Sequence, residues 1–177
     1  MHLTKKLTII FSIFLCQSAF AHIVLEQKEA TAGEYYKATL KVSHGCSGSP
    51  TNSVTVFIPS GFRGAKPMVK PGWEIKVTKA KLSDPYTSHG RTISEDTTEI
   101  TWSGGNLPSA YYDEFVVVGQ LPPSAGAMYW KVSQICEQGR QDWLQVPEKG
   151  KTLQDYPFPA ALLNVVPMPS QHHDHQH

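Results

Sequence analysis

The sequence predicts an all-β protein, a β-sandwich of the immunoglobulin-like or cupredoxin-like kind in a single domain. Short segments rich in β-branched and aromatic residues recur at regular spacing, with turn-forming residues between them. Apolar residues nowhere keep a helical period over three turns. Sheets built from such half-buried strands must cover their apolar faces against one another, which gives a sandwich.

The first 21 residues have the layout of a secretory signal. Lys5 and Lys6 form a positive start, residues 7–15 are apolar, and Ala19-Phe20-Ala21 is a small-x-small cleavage sequence. Removing 21 of the 177 residues leaves 156, the size of one domain with a core. We therefore expect a signal over 1–21, a sandwich domain over 22–166 and a disordered polar tail over 167–177.

Four of the predicted strands lie in the N-terminal half. Residues 23–25 are apolar, and residues 35–43 alternate between apolar and polar side chains. Residues 53–58 are strongly β-branched and stop at Pro59, and residues 73–79 alternate again.

Five further strands are predicted in the C-terminal half, which makes about nine in all. Residues 98–102 form a short strand that we expect to end in a turn at Gly104-Gly105, and residues 128–136 alternate over their whole length. The other three are short apolar runs at residues 115–118, 143–146 and 162–166.

His22 becomes the first residue of the mature chain if the signal is cut after Ala21. The α-amine nitrogen and Nδ1 of an N-terminal histidine can close one chelate ring on a metal ion. Cu(II) favours tetragonal nitrogen and oxygen coordination and leads the divalent first-row ions in affinity, so this arrangement suits copper. An α-amine has a reference pKa of about 7.7–8.0 and must lose its proton to bind, so affinity should rise with pH through that range.

The charge balance and the cysteines narrow the function classes. Loss of Lys5 and Lys6 leaves 14 basic against 15 acidic residues, which gives no reason to invoke nucleic acid or an anionic membrane. Cys16 lies in the signal, so the mature chain holds only Cys46 and Cys136, and one disulfide is the expectation for an exported protein. A redox or metal pair is the weaker alternative because there is no CxxC spacing, and a disulfide would also leave no thiolate for a blue-copper site.

Other side chains could join a copper site that begins at His22. Glu26 would share a strand face with His22, and Asp113 and Glu114 lie where a turn enters a buried strand, although solvated surface acids are the commoner case. His44 and His89 lie in glycine-flanked loops, and we expect both to be exposed. The tail carries four histidines that could capture metal weakly or could be merely solvated: His172, His173, His175 and His177.

Several short motifs in this order resemble the YcnI-like family of exported bacterial proteins. They are the mature histidine start, Lys70-Pro71-Gly72-Trp73, Trp102-Ser103-Gly104-Gly105, Tyr112-Asp113-Glu114-Phe115 and Asp142-Trp143. His44-Gly45-Cys46 and Gln134-Ile135-Cys136 are similar to the Gram-negative branch. The resemblance covers His22 to about Val166.

The resemblance implies a sandwich that binds one Cu(II) through a single-histidine brace, helped by a carboxylate and a nearby tryptophan. Carried onto this chain, His22 is the bidentate ligand, Glu114 the carboxylate and Trp143 the neighbouring tryptophan, although Asp113 stands where the family has glycine. It further implies a role in copper handling beside periplasmic copper chaperones. We expect no enzymatic turnover, and we expect the partner to be a periplasmic copper chaperone or a membrane copper transporter.

Two other functions remain open from the sequence. A copper-dependent oxidative enzyme of the polysaccharide monooxygenase type would need a second histidine, which only His44 or His89 could supply. A metal-free adhesion or assembly module is the third possibility, because sandwiches are common in such roles and fold alone does not decide function.

Overall fold

The protein is described by a computed structural model that covers residues 22–169. The predicted signal and the four tail histidines lie outside the described residues. The described chain forms two β-sheets packed face to face, which confirms the predicted all-β sandwich. Its strands are β1 (Val24–Leu25), β2 (Glu29–Thr31), β3 (Tyr35–Val42), β4 (Thr51–Phe57), β5 (Arg63–Pro67), β6 (Glu74–Ser88), β7 (Arg91–Leu107), β8 (Asp113–Gln120), β9 (Gly126–Cys136), β10 (Arg140–Trp143) and β11 (Ala161–Val166).

The smaller sheet has the order β1-β3-β8-β5, and the larger has the order β2-β11-β9-β4-β7-β6. Strand β10 pairs with the second half of β9, beyond the residues that pair with β11. The pairs are antiparallel except β2–β11, which is parallel. The only helical turn in the described residues is a short 3-10 turn at Leu153–Asp155.

The core lies between the inner faces of the two sheets. Trp102 and Trp130 are fully buried there with Phe115, and Trp143 is 1% exposed. Aromatic residues on sandwich strands are usually core residues, an expectation that covers all four tryptophans and is confirmed for these three. Trp73 is only half-buried and packs edge-on against Phe115, with ring centroids 5.0 Å apart.

The predicted strands at 73–79 and 98–102 are parts of one long hairpin, β6–β7. Its outer half was missed because most residues of β6 are exposed, so no apolar alternation marks the strand. The predicted turn at Gly104-Gly105 is wrong: both glycines lie inside β7. Gly105 has no room for a side chain, because a Cβ there would overlap the ring of Trp73.

The predicted strand at 143–146 is also wrong in its extent, because β10 ends at Trp143. Trp143 pairs with Val132, and the next stretch of the same edge of β9 is occupied by β11, starting at the pair Trp130–Ala161. The chain must therefore leave the sheet after Trp143. The described residues form eleven strands rather than nine, since β2 and β5 are short edge strands with no periodic pattern of their own.

Candidate metal centre

His22 lies at the start of the described chain, immediately before β1. The next residue, Ile23, is 4% exposed, and Leu25 is 2% exposed, so the chain is anchored in the core within three residues of His22. The His22 ring is half-buried and meets the Trp143 ring edge-on, with centroids 5.6 Å apart at 63°. It also borders a surface cleft of about 250 Å³.

Trp143 is the last residue of β10, and its ring is the one that the His22 ring contacts. Its Nε1 donates to Oε1 of Gln134 at 3.4 Å, and its ring packs edge-on against Phe158 at 5.5 Å. Gln134 is itself fully buried on β9. The indole is therefore fixed by Gln134 and Phe158, and it also contacts the His22 ring.

His44 contacts the same indole. Its ring centroid lies 6.3 Å from that of Trp143, again edge-on, at 70°. The prediction that His44 is an exposed loop residue is wrong, because its side chain is half-buried. The contact between His44 and Trp143 could not be predicted from the sequence, because His44 follows β3 whereas Trp143 ends β10. The one signal in the sequence was the expected disulfide, since Cys46 is two residues after His44.

The disulfide between Cys46 and Cys136 is present, as predicted, with the two Cα atoms 5.8 Å apart. It joins the loop after β3 to the end of β9, and so ties the His44 loop to the strand that carries Gln134. Both sulfur atoms are consumed, so residues 22–169 hold no cysteine thiolate for a blue-copper centre.

Glu114, the predicted carboxylate, lies on β8 opposite Lys41 of β3, and Lys41 lies opposite Val24 of β1. Register thus places Glu114 in the same row as Val24, two strands away, or about 10 Å between backbones. Glu114 is half-buried, and within residues 22–169 its carboxylate makes no ion pair or hydrogen bond.

The other two candidate carboxylates already form ion pairs with lysines. Asp113 pairs with Lys70 at 2.6 Å, and Nζ of Lys70 also donates to the backbone carbonyl of Glu114 at 2.9 Å. Glu26 pairs with Lys41 at 3.6 Å on the open surface. Glu114 is consequently the best placed of the three to accept a new partner.

His89 lies elsewhere. It is exposed at the tip of the β6–β7 hairpin, as predicted, with a φ of 47°. There it borders a cavity that Tyr35 and Gln120 also line. Tyr35 and Gln120 pair at one end of β3 and β8, and Val42 and Asp113 pair at the other end. Seven residues of strand separate the two ends by about 23 Å. His89 therefore cannot contribute to a site at Trp143.

In residues 22–169 no three side chains of His, Cys, Asp or Glu gather in a geometry that would hold a metal. A brace does not need such a group, because one of its nitrogen donors is the α-amine rather than a side chain. The half-buried His22 ring and the unpaired Glu114 carboxylate supply the nitrogen and oxygen chemistry that Cu(II) prefers. These residues fit the ion.

The fold and this site define an immunoglobulin-like sandwich with a histidine at its N-terminal edge. A solved structure with the same architecture is that of an uncharacterized protein from Nocardia farcinica with an immunoglobulin-like fold, which is 21% identical. The match covers 81% of this chain and 97% of that one, with a TM-score of 0.61. No curated protein matches this chain.

The chain belongs to the family of the DUF1775 domain, a domain of unknown function that is the domain of the YcnI-like proteins. The family match spans residues 22–165 and so begins at His22. No helix in residues 22–169 is long and apolar enough to cross a membrane.

Proposed function

We propose that this protein binds one Cu(II) ion at its mature N-terminus and serves in copper handling without catalytic turnover. The observation that carries the proposal is the placement of His22, whose ring is held edge-on against buried Trp143 while Ile23 and Leu25 anchor the following backbone. Cleavage after Ala21 would release an α-amine beside a ring that is already positioned. The amine and Nδ1 would then chelate the ion together.

Two further features support copper as the cargo. Glu114 offers an unpaired carboxylate two strands from β1, so one anionic oxygen is available to complete the nitrogen set. Trp143 cannot ligate, because an indole N–H only donates and here it points to Gln134. Its part is to orient the imidazole and exclude water from one side of the site.

The compartment and the partners are part of the proposal. The signal-like first 21 residues and the disulfide are consistent with export to an oxidising compartment, which we take to be the periplasm. A site at the edge of the sandwich leaves one side of the ion open. A periplasmic copper chaperone or a membrane copper transporter could add its own ligand there before His22 releases the ion.

The test compares the mature protein, which begins at His22, with the same protein acetylated on its α-amine. We expect the mature form to bind one Cu(II), with an affinity that rises with pH up to about 8, where α-amines lose their proton. The acetylated form should bind at least about 10-fold more weakly and without that pH dependence, because its terminal nitrogen is an amide. Competition titration and continuous-wave EPR measure both. Equal affinities in the two forms would contradict the brace.

One observation favours a second candidate, the oxidative copper enzyme of the polysaccharide monooxygenase type. That chemistry needs a second histidine, and His44 lies against the same tryptophan as His22. Copper-loaded, reduced protein given peroxide and chitin or cellulose should then release oxidised oligosaccharides. Absence of these products would leave copper handling as the function.

A further inference from the structure

We propose that His44 is a second imidazole ligand of the copper ion held by His22, bound through its Nε2. The inference rests on the proposed function and extends it, because a single-histidine brace has one imidazole and this site would have two. It is carried by the position of the His44 ring, by the hydrogen bond that sets its tautomer, and by the rigidity of the loop that holds it.

The two imidazoles contact the same indole. The centroids of the half-buried His22 and His44 rings lie 5.6 and 6.3 Å from that of Trp143, and both rings meet it edge-on, at 63° and 70°. Trp143 is 1% exposed and also contacts Gln134 and Phe158. One buried side chain therefore brings both histidines into the same part of the fold.

The tautomer of His44 directs the other ring nitrogen to the metal. Nδ1 lies 2.8 Å from the carbonyl oxygen of Gly45, and a carbonyl only accepts, so Nδ1 carries the proton. In the neutral ring the lone pair is then on Nε2. Histidines that bind metals usually donate their second ring N–H to a carbonyl or carboxylate in this way, which fixes the ring and raises its basicity.

The loop that carries His44 is held at three consecutive residues. The His44 carbonyl accepts from Nε2 of buried Gln134 at 2.7 Å, the same side chain that accepts from Trp143. Gly45 donates to Oγ of Ser109 at 3.1 Å, and Cys46 is fixed by the disulfide.

Gly45 also has no space for a side chain, because a Cβ would lie 1.7 Å from the carbonyl oxygen of Ser49. A ligand needs such support to stay within a fraction of an ångström of its productive position. The buried side chain of Gln134 thus positions both the loop of His44 and the tryptophan that contacts His22.

The test uses the mature full-length chain in which the four tail histidines are replaced by glutamine (H172Q, H173Q, H175Q and H177Q), so that only internal imidazoles remain near the ion. The variant is His44→Asn, whose amide can still donate to the Gly45 carbonyl but has no atom in place of Nε2. The matched control is His89→Asn, which removes an exposed histidine from the far end of the sheet and keeps a residue that tolerates a positive φ.

Pulsed EPR of the Cu(II) form counts the imidazoles through their remote nitrogens. We expect two in the parent and in His89→Asn, one in His44→Asn, and a 10- to 100-fold weaker affinity in His44→Asn. Thermal unfolding without copper checks that His44→Asn is folded. If it is not, the parent spectrum alone decides, since a single imidazole there overturns the inference.

The two proposals fail in different ways. If the mature parent binds no Cu(II) tightly, or binds it equally well when its α-amine is acetylated, the proposed function is wrong and the His44 inference falls with it. If the parent binds through the amine and one imidazole, and His44→Asn is indistinguishable from it, the brace stands and only the second ligand is wrong.

Discussion

Glu114 illustrates how the role of a residue depends on the partners that its neighbours take. Asp113 and Glu114 are adjacent acids at the start of β8, and the sequence offers both as ligands. Lys70 neutralises Asp113 at 2.6 Å from a largely buried position, with its ammonium 4.7 Å from the Phe115 ring centroid. The Glu114 carboxylate has no such partner among the described residues, so binding a cation there breaks no existing ion pair.

We expect Glu114→Gln to weaken Cu(II) binding about 10-fold, because an amide oxygen replaces an anionic donor. Glu26→Gln is the matched control, since Glu26 is an exposed acid whose partner Lys41 also lies opposite Glu114. Competition titration of the two variants at pH 7.5 provides the comparison. An affinity for Glu114→Gln equal to that of Glu26→Gln would remove Glu114 from the ligand set.

At the scale of the element, the β6–β7 hairpin is held to the small sheet by one buried carboxylate. Asp96 is 8% exposed and accepts from the backbone N–H of Gly64 at 2.8 Å, from the Tyr86 hydroxyl at 2.7 Å and from the Thr97 N–H at 2.7 Å. Loss of solvent around the phenol, together with the hydrogen bond to Asp96 and its charge, raises the pKa of Tyr86 to about 12. Arg63 adds a cation–π contact to the same ring at 4.7 Å.

Asp96→Ala should destabilise the fold by about 3 kcal/mol, because it leaves a set of buried or half-buried donors unsatisfied. It should also return the pKa of Tyr86 towards its ordinary value of about 10. In the parent, unfolded Tyr86 ionises near pH 10 and folded Tyr86 near pH 12, so the free energy of unfolding declines across that window as pH rises.

Urea unfolding and phenolate absorbance measure these two effects. Glu95→Ala is the control, because Glu95 is an exposed acid immediately before Asp96. It should change neither the free energy of unfolding nor the pKa of Tyr86. A Tyr86 pKa that stays near 12 in Asp96→Ala would show that loss of solvent alone raises it.

At the scale of the whole molecule, the disulfide links the two sheets. Cys46 follows β3 of the small sheet, and Cys136 ends β9 of the large one. The bond spans 90 residues of sequence, so it strongly restricts the unfolded chain. It also holds the His44 loop beside Gln134, which makes the stability of the sandwich and the geometry of the site depend on one covalent bond.

Replacing both cysteines by serine should lower the free energy of unfolding by about 4–5 kcal/mol, the entropic gain expected for a loop of this length. Urea denaturation followed by tryptophan fluorescence measures the loss. Reduced wild-type protein is the internal comparison and should unfold at nearly the same urea concentration as the double variant. A change below about 1 kcal/mol would mean that the disulfide serves only the site.

Local sequence pattern was enough to predict the sandwich, the disulfide and the burial of three of the four tryptophans. Alternation along a strand reports which face is covered, and two cysteines in a chain with a signal-like start leave one pairing. The prediction of an exposed His44 failed because the ring that covers it comes from a distant strand, and the errors in strand bounds lie in segments without that information. These are the exposed outer hairpin, the glycines inside β7, and the end of β10, which depends on where β11 begins.

Which side chains contact one another depends on the tertiary structure. His22, His44 and Trp143 come together from the chain start, from the loop after β3 and from the end of β10, so no local pattern could join them. The same holds for Glu114, whose row is set by pairing through β3, and for Asp113, whose partner Lys70 lies 43 positions earlier. Periodicity fixes the face of a residue, whereas its neighbours across the sheet are fixed by strand order and register, which the chain acquires only when both sheets close on a common core.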